Sequence, residues 1–341
     1  MWKLLFAVLV FLPFTGCQKS GSSNIVVRPQ KTGITTIRLY DESRGRPVVT
    51  EIWYPVEDHI PAQPTEGLWL RCAEARDAPL KVSSEKYPLI VMSHGNGGDR
   101  MNNAWLAEIL AANGYIVASM DHHGNTWNNK IAECFVKIWE RPLDVSFVVD
   151  QLLQHEGFSS AINCQKIGFI GYSLGGQTGI WIAGGKINQL GKKEIQTIPV
   201  DQLPENINED LINSIDFSPA TQSYRDHRIS AVFVMAPALG YLFDLASLQA
   251  ISVPVHIVAS EGDKVTPLEN SAKLLAGKIK KAAFTLIPGN ASHYVYLNEV
   301  SKGGKLLLDK RLAMDPPNVN RAEIHEEIGY SAVYFFNRHL K

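Results

Sequence analysis

The sequence predicts an α/β fold in which a mostly parallel sheet is covered by helices on both faces. Five apolar runs rich in β-branched residues recur along the chain, a pattern typical of strands that are buried on both faces. Segments with apolar residues at three- and four-residue spacing alternate with these runs and predict the covering helices. The predicted strands are residues 87–95, 115–121, 167–173, 229–237 and 253–263. The predicted helices are residues 104–114, 142–154 and 267–279.

The N-terminus has the pattern of an export signal. In residues 1–16, Lys3 precedes an apolar run that is too short to span a bilayer. The sequence FTGC resembles a bacterial lipobox with Phe14 where Leu is usual, so we expect Cys17 to be lipidated and to become the mature N-terminus. An ordinary cleaved signal with an incidental cysteine is the alternative. Residues 17–30 then form a lipidated tether, since QKSGSSN is small and polar.

The same segment predicts the location of the protein. Gln18 is not the Asp that holds lipoproteins at the inner membrane, so the lipobox resemblance implies an anchor in the outer membrane if the cell is Gram-negative, facing the periplasm or the surface. An exported chain folds in an oxidising compartment. Apart from Cys17 three cysteines remain, which allow one bridge. Cys72 with Cys134 is the preferred pair, which leaves Cys164 as a buried free thiol.

Residues 31–341 are predicted to form one domain that starts with a hairpin. The strand-like runs 34–41 and 48–56 are separated by the turn-rich ESRGRP, which favours an antiparallel hairpin at the edge of the sheet. Residues 321–340 predict a terminal helix because their pattern is helical to the end.

The segment 184–228 does not fit the alternation of strands and helices. It is polar and contains Pro199, Pro204 and Pro219. Long segments of this kind inside a compact domain are often lids or binding loops. We interpret it as an inserted cap, with a plain surface excursion as the alternative.

Composition and charge limit the classes of partner. The 341 residues are 45% hydrophobic, which is enough for a substantial core. The net charge is −1 at pH 7 and the pI is near 6.8. The sequence has no basic run of the kind that neutralises phosphates, so nucleic acid is not expected as a partner.

A candidate nucleophile follows the third predicted strand. Ser173 lies between Gly171 and Gly175, where a buried strand ends and a helical pattern begins. In a nucleophile elbow, a serine occupies a strained turn at this place, and the flanking glycines let neighbouring backbone approach. The alternative is a glycine-rich turn without chemistry. A serine nucleophile needs a base and an acid that orients the base, and these decide between the two.

An acid and a base follow Ser173 in the order that such a fold requires. Asp263 ends the strand VPVHIVASEGD, so its side chain is expected at the same crevice as Ser173. His293 lies thirty residues later, in a loop after the strand-like AAFTLIP, which leaves room for one helix and one strand. Glu261 is the alternative acid. We therefore expect Ser173, Asp263 and His293 to form a catalytic triad.

The tetrahedral intermediate of acyl transfer needs donors for its oxyanion. The backbone N–H of Leu174, directly after the nucleophile, is one candidate. The other is the N–H of Asn96, in the HGNGG loop that follows the strand LIVMSHG. His94 is expected to orient this loop beside the bound substrate rather than to act as the base.

His122 and His123 follow the second predicted strand and are also expected at the crevice. Adjacent histidines on an extended chain point apart, and no further ligand cluster is evident, so a metal site is not favoured. We interpret both as part of the substrate pocket wall, together with Tyr172. No cofactor is expected.

Seven segments, taken in chain order, resemble an enzyme family. They are IWYPV, LIVMSHGNGG, GYIVASMDHHGN, RPLDVSFVVDQL, IGFIGYSLGG, VMAPALG and SHYVYL, which span roughly residues 35–300. This set is similar to the α/β-hydrolase group that includes platelet-activating factor acetylhydrolases and bacterial proteins called predicted dienelactone hydrolases. The resemblance implies the α/β-hydrolase fold and a Ser-Asp-His esterase that needs no metal.

The chain departs from these relatives at two places. The acetylhydrolases carry their acid after the strand that corresponds to ISAVFVMAP, where this chain has Ala236, Pro237 and Ala238, so Asp263 stays the predicted acid. Dienelactone hydrolases use a cysteine nucleophile, whereas this chain has Ser173. The dienelactone name therefore does not carry its substrate to this chain.

The function predicted from the sequence is hydrolysis of short-chain or lipid acyl esters through an acyl-enzyme. An amidase with the same triad is an alternative. A binding or scaffold lipoprotein that keeps the fold without turnover is the alternative from a different class. The expected partners are a small-molecule or lipid ester and, through the anchor, a membrane; the oligomeric state stays open.

Overall fold

The computed structural model describes residues 25–195, 204 and 206–341. The predicted export signal, Cys17, most of the predicted tether and Pro199 lie outside these residues. The last residues of the tether contact the domain, because the N–H of Val26 donates to Asn113 Oδ1 at 3.0 Å and Asn113 Nδ2 donates back to the Val26 carbonyl at 2.7 Å. No helix in the described ranges has the length and apolarity needed to cross a bilayer.

Nine strands of the described chain form one sheet, in the order β11-β10-β9-β8-β4-β5-β2-β1-β3. The six strands from β11 to β5 run parallel, and β2 and β1 continue the sheet in antiparallel pairing. The sheet strands are β1 (Lys31–Asp41), β2 (Arg46–Tyr54), β3 (Ala73–Arg76), β4 (Tyr87–Ser93), β5 (Ile116–Met120), β8 (Ile162–Tyr172), β9 (Ile229–Met235), β10 (Val255–Ser260) and β11 (Ala282–Ile287). Two short strands, β6 (Asn125–Thr126) and β7 (Asn129–Lys130), form a separate ribbon.

Helices pack on both faces of this sheet, as the sequence predicts. They are α1 (Ala104–Ala112), α2 (Ala132–Val136), α3 (Glu140–Leu152), α4 (Leu174–Ala183), α5 (Lys192–Ile195), α6 (Glu209–Ser214), α7 (Leu245–Ala250), α8 (Ala272–Lys278), α9 (Gly304–Leu307), α10 (Lys310–Ala313) and α11 (Arg321–Leu340). Helices α1 and α11 bury their apolar residues in one core, and α3, α4, α7 and α8 bury theirs in the other. Alternate residues of β4 serve the two cores: Leu89 and Val91 face one, and Ile90 and Met92 face the other.

The α/β prediction and the strands of the parallel sheet are confirmed, but the edge of the sheet differs from the prediction. The hairpin forms as expected, with Asp41 of β1 opposite Arg46 of β2. The edge strand is β3 instead, which pairs parallel to β1 from Lys31 opposite Ala73. Its four residues AEAR alternate between alanine and charged residues, but the run is short and Ala and Glu are uncommon in strands, so the sequence gives only a weak strand signal there.

The segment 184–228 is partly bound to the body of the domain. Ile187, Leu190, Ile212 and Ile215 are buried in the core that contains α3 and α4. Among the described residues of this segment, only Pro204 lines the large cavity described below. The described part is therefore an insertion packed on the sheet's helical layer, with one point of contact to the cavity.

The predicted disulfide is wrong, because Cys72, Cys134 and Cys164 are all free. The N–H of Cys72 donates to Glu108 Oε2 of α1 at 3.0 Å, beside the edge strand, whereas Cys134 lies in α2 against Gly124. Cys72 directly precedes β3, Cys134 lies in α2 and Cys164 lies in β8, and sequence spacing does not predict how far apart these elements lie. Cys164 is exposed rather than buried because it lies where the pairing of β8 with β4 is interrupted.

Candidate active site

The loops at the carboxyl ends of the parallel strands surround a cavity of about 640 Å³. Side chains from the ends of neighbouring parallel strands converge at one edge of the sheet, which is where ligands bind in open α/β folds. Ser173, His293 and Gly95 are among the residues that line this cavity. The predicted nucleophile, base and oxyanion loop therefore share one wall.

Ser173 occupies a strained turn between β8 and α4. Its dihedral angles are φ 55° and ψ −116°, a region that residues with a side chain rarely adopt. The turn is held from both sides, since the Ser173 N–H donates to the Met235 carbonyl at 2.9 Å and the Ser173 carbonyl accepts from the N–H of Ala238 at 3.0 Å. The side chain is 8% exposed and faces the cavity.

Two glycines make this turn sterically feasible. A Cβ at Gly171 would lie 2.0 Å from the carbonyl oxygen of Gly175, and a Cβ at Gly175 would lie 2.0 Å from that of Ser93. Both distances are far below van der Waals contact, and the clashing atoms are backbone. The spacing G-x-S-x-G is therefore a consequence of how closely α4 starts against the ends of β8 and β4.

Ser173, His293 and Asp263 are joined by hydrogen bonds. Ser173 Oγ lies 3.0 Å from His293 Nε2, and His293 Nδ1 lies 2.7 Å from Asp263 Oδ2. A carboxylate only accepts, so Nδ1 carries the proton and Nε2 is left to accept from the serine hydroxyl. His293 and Asp263 are both buried, which protects these contacts from water.

The environment of Asp263 keeps it ionised. Burial raises the pKa of this carboxyl, but hydrogen bonds from His293 and Thr266, together with the attraction of His293, outweigh burial and lower its pKa below the ordinary value. The donors include the Thr266 hydroxyl at 2.7 Å and the Val265 N–H at 2.8 Å. Glu261, the alternative acid, is exposed and accepts from the N–H of Gly289 instead.

The loop that carries His293 is held by α1, α11 and β8. The Tyr172 hydroxyl donates to the His293 carbonyl at 2.9 Å. Trp105 Nε1 and Asn103 Nδ2 both donate to the Tyr296 carbonyl at 2.8 Å. His325 Nε2 lies 2.8 Å from the Val295 carbonyl, and its ring stacks on Trp105 at 3.8 Å. The position of the histidine ring is thus fixed by residues distant in sequence.

The two predicted oxyanion donors belong to two segments that lie next to Ser173, the start of α4 and the loop after β4. Leu174 is the first residue of α4, and the first N–H groups of a helix have no partner within the helix and lie at its positive end. Asn96 and Gly95 line the cavity beside Ser173, and a Cβ on Gly95 would lie 3.3 Å from Ser173 Cβ. The arrangement can stabilise negative charge that develops next to the serine.

Asn125 fixes the conformation of the loop that carries Asn96. Its Oδ1 accepts from the N–H of Gly97 at 3.0 Å, and its Nδ2 donates to Asn96 Oδ1 at 3.0 Å. Arg141 also donates to Asn125 Oδ1 at 3.1 Å and to the His94 carbonyl. Burial lowers the pKa of Arg141 to about 9. Sequence reasoning assigned no role to either residue, although Asn125 ends the segment GYIVASMDHHGN and Arg141 begins RPLDVSFVVDQL, because their contacts with the loop form only in the folded chain.

Ser93, His122 and Asp144 form a second Ser-His-Asp arrangement behind the oxyanion loop. Ser93 Oγ and Asp144 Oδ2 each lie 2.8 Å from a ring nitrogen of His122. Arg44 and Arg46 pair with Asp144 at 2.9 Å and 3.0 Å. Burial, followed by the arginine charges, holds the pKa of His122 well below its ordinary value, so the ring is neutral. None of the three residues lines the cavity.

Of the residues predicted to form the substrate pocket, Tyr172 lines the cavity, whereas His94, His122 and His123 do not. His94 Nε2 accepts from the N–H of His122 at 3.2 Å, so its Nδ1 carries the proton that is donated to the Gly95 carbonyl at 2.7 Å. His94 thus orients the loop, as the sequence predicts, but from a buried position. His123 is partly exposed and lies 3.5 Å from Asn129.

Much of the cavity wall comes from segments without a sequence signal. Leu68 and Trp69 form one part, and Leu308 and Leu312 form another. The two parts are joined, because the N–H of Ser301 donates to the Leu68 carbonyl at 3.0 Å and Trp69 pairs with Val300. Further apolar and aromatic side chains on the wall are Trp127, Phe135, Tyr294 and Leu297, and charged ones are Asp99, Lys130 and Arg311. The wall is mostly apolar, as ligand pockets usually are.

The described residues contain no group of three or more His, Cys, Asp or Glu side chains placed to hold a metal ion.

Comparison with known proteins supports the fold and part of the resemblance. A model of the family "platelet-activating factor acetylhydrolase, isoform II" matches residues 68–137, a segment that includes the oxyanion loop but not Ser173, Asp263 or His293. Many solved structures match. One is a ferulic acid esterase from Streptomyces cinnamoneus, with 18% identity, a TM-score of 0.61, and coverage of 91% of this chain and 90% of that one. A search of curated proteins found no significant match.

The sheet order and the structural similarity define the class of fold: this chain has the α/β-hydrolase fold. Within that class, residues 68–137 are similar to the isoform II acetylhydrolase family, in agreement with the resemblance drawn from the sequence motifs.

The two Ser-His-Asp arrangements predict selective labelling by a fluorophosphonate. Only Ser173 faces the cavity, because Ser93 is 2% exposed and does not line it. Mass spectrometry of the labelled chain should place the phosphonyl group on Ser173. Labelling should be lost in Ser173→Ala and retained in Ser93→Ala, the matched control. Adduct formation in Ser173→Ala would contradict the assignment.

Proposed function

We propose that this protein is a serine esterase that hydrolyses carboxylic esters through an acyl-enzyme intermediate. The observation that supports the proposal most directly is the hydrogen-bond chain from Ser173 Oγ through His293 to Asp263, with distances of 3.0 Å and 2.7 Å, at the wall of the cavity. A nucleophile, a base and an acid that orients the base are the groups that acyl transfer to serine requires.

In the acylation step, Ser173 Oγ attacks the ester carbonyl while His293 Nε2 takes the hydroxyl proton. Asp263 stabilises the imidazolium that forms and stays ionised, in accord with its lowered pKa. The N–H groups of Leu174 and Asn96 hold the oxyanion of the tetrahedral intermediate. When this intermediate collapses, His293 returns the proton to the departing alcohol and the acyl group stays on Ser173.

In the deacylation step, a water molecule takes the place of the alcohol. His293 removes a proton from this water as it attacks the acyl carbonyl, and the same two N–H groups hold the second oxyanion. Collapse of the intermediate transfers the proton back to Ser173 Oγ and releases the carboxylic acid. Protein side chains and water supply every proton transfer in this cycle.

We propose a short-chain or lipid acyl ester as the substrate. A cavity of about 640 Å³ with a wall built mainly from Trp, Phe, Tyr and Leu side chains favours an apolar acyl group. The acetylhydrolase family and the ferulic acid esterase are named for a small and an aromatic acyl group respectively. Chain-length selectivity decides between these classes.

We also propose that the chain is exported and anchored by a lipid on Cys17, on the grounds of its apolar N-terminus and FTGC. Growth of expressing cells with radioactive palmitate should label the wild-type protein and leave Cys17→Ala unlabelled. Equal labelling of both would contradict the anchor.

Hydrolysis of p-nitrophenyl esters with acyl chains of increasing length tests the proposed reaction. Ser173→Ala and His293→Ala should each lower kcat/KM by about 10⁴-fold or more, because triad members act as a unit. The chain-length optimum separates a short-acyl pocket from a lipid one, and methyl ferulate tests the aromatic class.

The matching p-nitroanilides test the amidase alternative. A wild-type chain that neither turns over these esters nor reacts with a fluorophosphonate would favour the binding lipoprotein.

Asn125→Ala is expected to lower kcat by about tenfold to a hundredfold with little change in KM. The variant removes the acceptor for the Gly97 N–H and the donor to Asn96, so a donor needed for the transition state is misplaced. Asn163→Ala is the control, because that side chain only accepts from the Gln165 N–H at the far end of β8. A rise in KM at unchanged kcat would argue against an oxyanion role of the loop.

A further inference from the structure

The segment 301–314 carries exposed leucines next to the mouth of the cavity. Leu306 and Leu307 in α9 are 86% and 77% exposed, and Met314 after α10 is 54% exposed. Single exposed apolar residues are common on protein surfaces, whereas a cluster of them at a binding site is not. These side chains contribute nothing to either core, so the fold gives no reason for them.

This cluster is continuous with the cavity rim. Two other leucines of the same segment line the cavity. Leu308 directly follows the exposed Leu307, and Leu312 lies between Leu307 and Met314 in the sequence. Leu68, which is 36% exposed, lies against the start of α9, because a Cβ on Gly304 would lie 2.1 Å from its carbonyl oxygen. Trp127, which is 62% exposed, is another rim residue. We call residues 301–314 with Leu68 and Trp127 the rim surface.

The charge on the rim surface is mainly positive. Lys302, Lys305 and Lys310 are exposed around the leucines. The segment 301–314 has one acidic residue, Asp309, which pairs with Arg311 at 3.1 Å. Its net charge is therefore +3, from three lysines and one arginine against one aspartate, while the whole chain has −1 at pH 7.

We propose that the rim surface docks on an anionic lipid bilayer with the cavity mouth towards the lipid. Exposed leucines and a tryptophan that enter the headgroup region, with lysines beside them, are the combination that holds a protein at such an interface. The leucines provide the apolar contact, and the lysines select negatively charged headgroups. Docking in this orientation delivers an apolar ester to Ser173 without passage through water. This binding does not depend on catalysis.

Hydrogen–deuterium exchange of the full-length Ser173→Ala protein on vesicles tests the proposal. Mixed phosphatidylglycerol and phosphatidylcholine vesicles should slow exchange in peptides that contain residues 301–314, and phosphatidylcholine vesicles should not. The readout is local, so it is independent of what the N-terminal residues bind, and Ser173→Ala prevents hydrolysis during the measurement.

The double variant Leu306→Ser, Leu307→Ser should abolish this protection. The matched control is the double variant Val82→Ser, Leu245→Ser, because those two side chains are 88% and 48% exposed but lie away from the cavity rim. The double variant Lys302→Glu, Lys305→Glu should raise the lipid concentration for half-maximal protection at least about tenfold. The reason is that each lysine contributes roughly fivefold to the affinity for an anionic bilayer. Lys280→Glu with Lys281→Glu, two exposed lysines before β11, should leave it unchanged.

In a chain with Ser173 intact, the Leu306→Ser, Leu307→Ser pair should hydrolyse soluble p-nitrophenyl acetate at the wild-type rate, which shows that the variant is folded. Exchange in residues 301–314 that vesicles do not alter would overturn the proposal. Protection that grows with protein concentration in the absence of lipid would also overturn it and would assign the rim surface to a second copy of the chain.

Discussion

The close approach of α4 to the end of β4 is the constraint on which the site depends. The missing Cβ of Gly175 lets the first turn of α4 lie against the Ser93 carbonyl, where any side chain would clash at 2.0 Å. Ser173 lies in its strained turn directly before this first helical turn, which begins at Leu174. One packing contact therefore brings Ser173 and Leu174 close to the separate loop that carries Asn96.

Strain at Ser173 and the tight loop after β4 both need support from surrounding groups. A buried polar network that extends from Arg44, Arg46 and Asp144 through His122 to Ser93 provides it on one side. Removing Asp144 from this network is costly, because it leaves buried arginine charge without a partner. The network resembles a catalytic triad in composition, but its lack of access to the cavity gives it a supporting role.

The sequence predicts those parts of the molecule that are encoded locally. Apolar runs and helical periodicity predict the parallel sheet. Ser173, Asp263 and His293 are predictable as site residues because each follows a strand whose carboxyl end faces the crevice. Features that depend on distant contacts were missed or wrong. The edge strand β3 has only a weak local signal, and Cys72 precedes this strand whereas Cys134 lies in α2. His122 is buried although it follows a strand in the same way as the triad acid. The apolar wall around Leu68 and Leu308 arises only when segments far apart in sequence meet.

The central claim is that Ser173 carries the acyl group between two half-reactions, and trapping that intermediate tests it most directly. The protein would be mixed with p-nitrophenyl acetate, quenched with acid within the first turnover and analysed by peptide mass spectrometry. An acetyl group on Ser173, formed together with a burst of p-nitrophenol and missing in His293→Ala, is the predicted result. A burst-free reaction that leaves Ser173 unmodified throughout turnover would contradict the account.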